Sequence, residues 1–285
     1  MDIHAIQTGT VEVKQRQRQG IGSGAARLLS TFRDREWTEP LPIFAWLIEH
    51  PEGLILVDTG ETARASEPGY FPRWHPYFRS GLREMVSREQ EIDRGLQELG
   101  FSTEDVRRLV LTHLHTDHAG GLHHFPTSEM LVSRRELEAA AGRMGRLRGY
   151  LNNRFPDWFS PRAVDFEPEP AGPFAESLSL TEAGDVRLVP TGGHTHGQLA
   201  VLVDEDDSTV CIAGDASYTQ ELLLQQAVDG VAPDEARARE TLARLLAFVR
   251  ERPTVYLPSH DAGSATRLAE RRVVEAGSPL VTASP

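Results

Sequence analysis

The sequence predicts an α/β fold, read as one domain over residues 1–285 with two packed β-sheets lying inside helical layers. Three observations predict it. Short apolar runs bounded by turn residues alternate with runs of helical spacing. Two rounds of strand, strand and helix each lead into a loop carrying potential metal ligands. No Ser/Gly-rich linker divides the chain.

At the N-terminus, residues 3–7 and 10–14 read as two short strands. Residues 43–49 and 54–57 flank His50-Pro51-Glu52-Gly53 and read as a hairpin. Pro68, Pro72 and Pro76 interrupt an aromatic stretch from Gly60 to Gly81, which predicts a loop. Residues 87–99 carry Ile92, Leu96 and Leu99 at helical spacing, with Gly100 placed as a C-terminal cap. Strand 109–112 then runs into the densest polar cluster of the chain. Beyond it come a strand at 130–133, a short helix at 134–141 and a segment without visible period from 142 to 173. Strand 186–189 leads to His194. Strands 199–203 and 209–213 flank an acidic turn, residues 233–250 form an amphipathic helix opened by Pro233, and a last buried strand at 255–257 leads to His260.

Composition narrows the function. The chain has 30 Lys and Arg against 42 Asp and Glu, a net charge of −12, which argues against nucleic acid as a main partner because phosphate binding needs a basic surface. No stretch approaches the roughly 18 consecutive apolar residues of a membrane span. The first residues show no secretory pattern, so the expected location is the cytoplasm. Cys211 is the only cysteine, which removes disulfides and thiolate zinc clusters and leaves His and carboxylates as ligands for any metal.

His113-Leu114-His115-Thr116-Asp117-His118, closed by Ala119-Gly120-Gly121, gathers three imidazoles and a carboxylate within six residues. That donor set suits zinc, iron or similar divalent ions. Alternate residues of the loop point to opposite sides, so His113 and His115 can face one ion while Asp117 and His118 face a second. His194, Asp215 and His260, each just after a buried apolar run, are candidates to complete such a site. The other histidines, His4, His50, His75, His123, His124 and His196, read as surface residues or supports.

On these residues the chain resembles the metallo-β-lactamase superfamily, an αββα sandwich of two mixed β-sheets flanked by helices. Asp58 in Leu54-Ile55-Leu56-Val57-Asp58-Thr59-Gly60 matches its first acidic motif. His113, His115, Asp117 and His118 match the main motif, and His194, Asp215 and His260 the later ones. Within the superfamily the chain is similar to N-acyl homoserine lactone lactonases. The likeness is carried by Leu41-Pro42-Ile43-Phe44-Ala45-Trp46-Leu47 before Asp58, by Asp215-Ala216-Ser217-Tyr218-Thr219 with its Tyr three residues after Asp, and by the spacing from His194 to Asp215 to His260.

The resemblance implies two divalent ions, zinc first with iron, cobalt or manganese as alternatives. His113, His115 and His194 would hold one, Asp117, His118 and His260 the other, and Asp215 would bridge them. Two such cations bring the pKa of a shared water from 15.7 toward about 7, giving a hydroxide that attacks the lactone carbonyl without serine or cysteine. Tyr218 would stabilise the oxyanion, and Asp117 would protonate the leaving alkoxide. The implied partner is a small-molecule lactone, with neither nucleic acid nor membrane, and the chain is expected as a monomer or homodimer. Competing readings are another hydrolase of the fold acting on a different lactone, a thioester or a phosphodiester, a persulfide oxygenase with a single iron, and a non-catalytic metal-stabilised binding module. For Tyr218 the competing reading is a packed aromatic; the aromatics from Tyr70 to Phe78 are candidates for an acyl-chain pocket or a dimer contact, with local core packing as the competing reading.

Overall fold

The structure, a computed structural model, describes residues 1–275. The first half of the chain runs β1 (Asp2–Val13), α1 (Gln15–Arg18), α2 (Gly24–Arg33), β2 (Leu41–Glu49), β3 (Leu54–Val57), α3 (Pro76–Ser80), β4 (Leu82–Met85), α4 (Ile92–Glu98) and β5 (Val106–Val110). It continues with α5 (Thr116–Ala119), β6 (Glu129–Ser133), α6 (Arg134–Ala140), α7 (Gly142–Leu147), β7 (Arg162–Val164) and β8 (Leu178–Ser179). The last part is β9 (Val186–Pro190), β10 (Leu199–Asp204), β11 (Thr209–Gly214), α8 (Gln220–Leu224), α9 (Glu235–Glu251), β12 (Thr254–Pro258) and α10 (Ser264–Ala269).

Seven strands form one sheet in the order β4-β1-β2-β3-β5-β6-β7, and five form the other in the order β12-β11-β10-β9-β8. Both are mixed: β3, β5, β6 and β7 pair in parallel, as do β11 and β12, while the other pairings are antiparallel. Strand periodicity explains the layering. In β2, Phe44, Trp46 and Ile48 face the core between the sheets, and Ala45 and Leu47 face outward beneath Ile92 and Leu96 of α4. In β10 and β11, Leu199, Val201, Val210 and Ile212 face the same inner core, while Ala200, Leu202, Cys211 and Ala213 lie under Leu242, Leu245 and Val249 of α9. Both faces of these strands are covered, so the sequence shows unbroken apolar runs rather than alternation.

The two expected N-terminal strands are one strand, β1, with a register shift between Gln7 and Thr10. The intervening Thr8 and Gly9 form the irregularity, and the local loss of alternation had the look of a break. The expected helix over 87–99 is divided: a turn of tighter helix at Arg88–Gln90 precedes α4. Segment 142–173 holds α7 and β7, elements too short to show a period, and the 61–80 stretch holds α3. Among the described residues no helix is long and apolar enough to cross a membrane.

Candidate metal centre

Four strand ends deliver the polar side chains to one edge of the sandwich. His113 and His115 follow β5, His194 follows β9, Asp215 follows β11, and His260 follows β12. Asp117 and His118 lie in α5, a single helical turn where the sequence suggested only loop. That turn keeps their side chains on the site while the chain reverses. Gly214, at φ +54°, makes the bend before Asp215, and a Cβ there would stand 2.9 Å from Thr112 Oγ1. Only glycine takes that left-handed, crowded position without strain.

The structure brings all seven residues together. His113, His115 and His194 form one group whose potential ligand atoms lie within 4.8 Å of one another, and Asp117, His118 and His260 form a second. His115 Nδ1 is 3.1 Å from both His113 Nε2 and His194 Nε2. Asp215 stands between the groups. One of its oxygens is 3.3 Å from His118 Nε2, and the other is 3.1 Å from His260 Nε2 and 3.6 Å from His194 Nε2. Asp117 Oδ2 lies 3.4 Å from His260 Nε2.

Outer hydrogen bonds fix which nitrogen faces the centre. His118 Nδ1–H donates to Asp58 Oδ2 at 2.8 Å, His194 Nδ1–H to Asp229 Oδ2 at 3.2 Å, and His260 Nδ1–H to the Pro42 carbonyl at 2.9 Å. The Thr112 hydroxyl donates to Asp58, so its oxygen accepts from His113 Nδ1–H at 3.1 Å. Four rings therefore hold their outer nitrogen as a donor and turn Nε2 inward. Inward lone pairs backed by carboxylates and carbonyls are the arrangement of imidazole metal ligands. His118 Nε2 and Asp215 Oδ1 are buried without a hydrogen-bond partner among the described residues. Those two orphaned atoms, within reach of each other's groups, fit a divalent cation.

Electrostatics point the same way. Burial pushes His113 well below the ordinary imidazole value and His115 to about 3, with neighbouring imidazoles adding to the effect. Burial opposes charge on His118 and His260 too, but the Asp215, Asp58 and Asp117 carboxylates outweigh it, raising His118 and bringing His260 to about 10. Burial likewise opposes ionisation of Asp117, yet the His118 and His260 charges hold it at about 2. The centre thus draws positive charge to a point where neutral imidazoles already converge.

Beside the metal-ligand candidates opens a cavity of about 390 Å³. Val11, Val13, Leu28, Phe32, Leu82 and Leu147 give it an apolar wall, and His115, Asp117, His194, Asp215, Tyr218 and His260 form its polar end. The Tyr218 ring stacks on His260 at 5.6 Å between centroids, and its buried hydroxyl is held in its protonated form, its pKa pushed well above the ordinary phenol value by burial first and by nearby Tyr77 and Asp215 second. Among the 61–80 aromatics Tyr70 and Phe78 pack in a small core, and both Tyr77 and Phe78 border the cavity.

Three of the histidines expected at the surface or as supports lie inside the protein or along the cavity. His75 is buried, and both it and the half-buried His196 line the cavity. His50 is also buried, bonded to Asp185 on the far side from the centre. Sequence reading missed Asp229 and Glu136. Buried Glu136 accepts from the backbone N–H of Leu114 at 3.1 Å and of Gly197 at 3.0 Å, tying the first histidine loop to the His194 loop. Neither residue sits in a local pattern that marks it. The walls from α1, α2 and α7 were not legible either, since α1 and α7 are too short to show a period and α2 turns Leu28, Leu29 and Phe32 outward while burying Arg27 and Thr31.

A family model described as the metallo-beta-lactamase superfamily matches residues 38–260. A probable metallo-hydrolase of Mycobacterium tuberculosis is 37% identical over 177 residues, 60% of this chain and 56% of that protein, so the chain matches only about half the length of that relative. An N-acyl homoserine lactonase from a Bacillus species is 30% identical over 226 residues, covering 78% of this chain and 82% of the relative. Among solved structures, an N-acyl homoserine lactone hydrolase with N-hexanoyl-L-homoserine at its catalytic metal centre superposes with a TM-score of 0.73 at 22% identity, covering 93% and 94% of the two chains. A dizinc quorum-quenching lactonase superposes at 0.64 and 18% identity, covering 91% and 87%.

Proposed function

Because the chain belongs to the metallo-β-lactamase superfamily, we propose that it is a dinuclear metal hydrolase that opens the lactone ring of N-acyl homoserine lactones. The observation that carries this reading is the position of Asp215. Its carboxylate stands between two ligand groups and beside Tyr218, at the polar end of a cavity whose other wall is apolar. A polar, reactive ring joined to an acyl chain fits that division.

His113, His115 and His194 would hold one divalent ion, Asp117, His118 and His260 the other, with Asp215 shared. Bound there, the cations would supply Lewis acidity toward a carbonyl and acidify water at neutral pH. The protein's own groups do the rest. Tyr218 directs its hydroxyl at the lactone carbonyl oxygen and donates as negative charge grows there, an interaction of about 2.7–4 kcal/mol for a positioned donor. Asp117, ionised at neutral pH, takes the proton that attacking water gives up and returns it to the ring oxygen as the C–O bond breaks. Leu28, Phe32 and Leu147 receive the acyl chain and keep water from it. A single-iron oxygenase would use one ligand group and leave the other without a purpose, which favours hydrolysis. Elemental analysis with a panel of lactones, thioesters and phosphodiesters tests the proposal; it expects two ions per chain and ring opening as the preferred reaction, and preferred thioester or phosphodiester cleavage would overturn it.

A further inference from the structure

The Tyr218 hydroxyl is not alone at the cavity. Gln17, almost wholly buried in α1, places its side-chain Nε2 3.0 Å from the Tyr218 oxygen and 2.9 Å from the Tyr77 oxygen. For each phenol this is the one hydrogen bond to protein among the described residues. Gln17 itself is pinned by its backbone: its carbonyl accepts from Gly230 N–H at 2.7 Å, and Gly20 N–H donates to Val228 at 2.9 Å. Those bonds fasten α1 to the loop bearing Asp229, the partner of His194.

An amide nitrogen can only donate. It therefore fills an acceptor site on each phenol oxygen and leaves each O–H proton to be donated elsewhere. All three side chains line the same cavity. We infer that Gln17 is a positioning residue that commits Tyr218 and Tyr77 to act as hydrogen-bond donors, Tyr218 to the reacting carbonyl and Tyr77 to a second carbonyl on the substrate. The two phenol oxygens share one partner and so lie within about 6 Å of each other. That spacing selects substrates with two nearby carbonyls, such as a lactone bearing an amide at the adjacent carbon. The inference rests on the lactonase reading and adds to it which acyl substituent is read.

The test uses the metal-loaded chain with N-hexanoyl homoserine lactone and with γ-decalactone, which lacks the amide. Gln17→Glu replaces the donor by acceptors that capture both phenol protons; kcat on the acyl homoserine lactone should fall about 100-fold, with a smaller change in KM. Gln17→Met, which neither donates nor accepts, should fall less. In a Tyr218→Phe background Gln17→Glu should cost little more in kcat, the coupling a merely structural role would not produce. Tyr77→Phe should raise KM about 10-fold for the acyl homoserine lactone and less for γ-decalactone, and calorimetry should show weaker binding of ring-opened N-hexanoyl homoserine. If Gln17→Glu keeps wild-type kcat, the amide is turned the other way and the inference is overturned. A Gln17→Glu loss that persists undiminished without the Tyr218 hydroxyl overturns it as well, by assigning the loss to folding. If wild-type protein turns over neither lactone, the lactonase reading fails first and takes this inference with it.

Discussion

Asp58 Oδ2 lies 2.8 Å from His118 Nδ1, and the same carboxylate accepts the Thr112 N–H at 2.7 Å and the Thr112 hydroxyl at 2.8 Å. To reach all three it holds a backbone φ of +62°, a conformation that costs a non-glycine residue on the order of 1 kcal/mol or more. One buried acid thereby sets the orientation of His118 and, through Thr112, of His113.

Asp58→Asn keeps the shape and the tolerance for positive φ but loses the charge. Metal affinity should fall about 10- to 100-fold. Competition with a graded series of chelators measures it, and unchanged affinity would deny Asp58 this role.

Among the ligand histidines Asp229 supports only His194, its other oxygen accepting from the backbone N–H groups of Val231 and Ala232. Asp229→Ala should therefore weaken the ion held by His113, His115 and His194 more than the other, leaving near one ion per chain after mild dialysis. Elemental analysis reads the stoichiometry, and loss of both ions in parallel would show that the two positions are not separable.

Removing the Tyr218 hydroxyl deletes a donor that matters as charge develops. Tyr218→Phe should lower kcat about 100- to 1,000-fold on a lactone while leaving metal content intact. A change in KM alone would make Tyr218 a wall of the cavity rather than a catalytic residue.

In the metal-free chain the contribution of the four histidines His113, His115, His118 and His260 to stability should peak near pH 6.5. His113 and His115 are held neutral, with His115 at about 3, so they contribute stability above the unfolded value of 6.5 that is lost as pH falls from there toward 3. His118 and His260 are held protonated, with His260 at about 10, so their contribution is complete below 6.5 and is lost as pH rises toward 10. Zinc supplies the positive charge itself, so loading should raise Tm and remove most of the alkaline decline. Thermal melts from pH 4 to 10 with and without zinc compare the two, and parallel curves would contradict the account.

Much of this centre could be read from sequence because its ligands sit where buried strands end. Leu111, Val189, Ala213 and Leu257 close apolar runs, and a His or Asp just beyond such a run faces the edge of a sheet. The sandwich was legible for the same reason, since strands covered on both faces stand out as unbroken apolar runs. Less visible were the residues acting across long separations. Asp229, Glu136 and Gln17 are polar residues in unremarkable local settings, and only folding brings them to His194, to the ligand loops and to Tyr218. Single-turn elements such as α1 and α5 were hidden because four residues are too few to show a helical period.

The most direct measurement is proton release at constant pH from N-hexanoyl homoserine lactone by the metal-loaded chain, before and after chelation and again after zinc is restored. The account predicts turnover that disappears with the metal and returns with it. Ring opening that continues unchanged in the stripped protein, or none at all when two ions per chain are present, would contradict it.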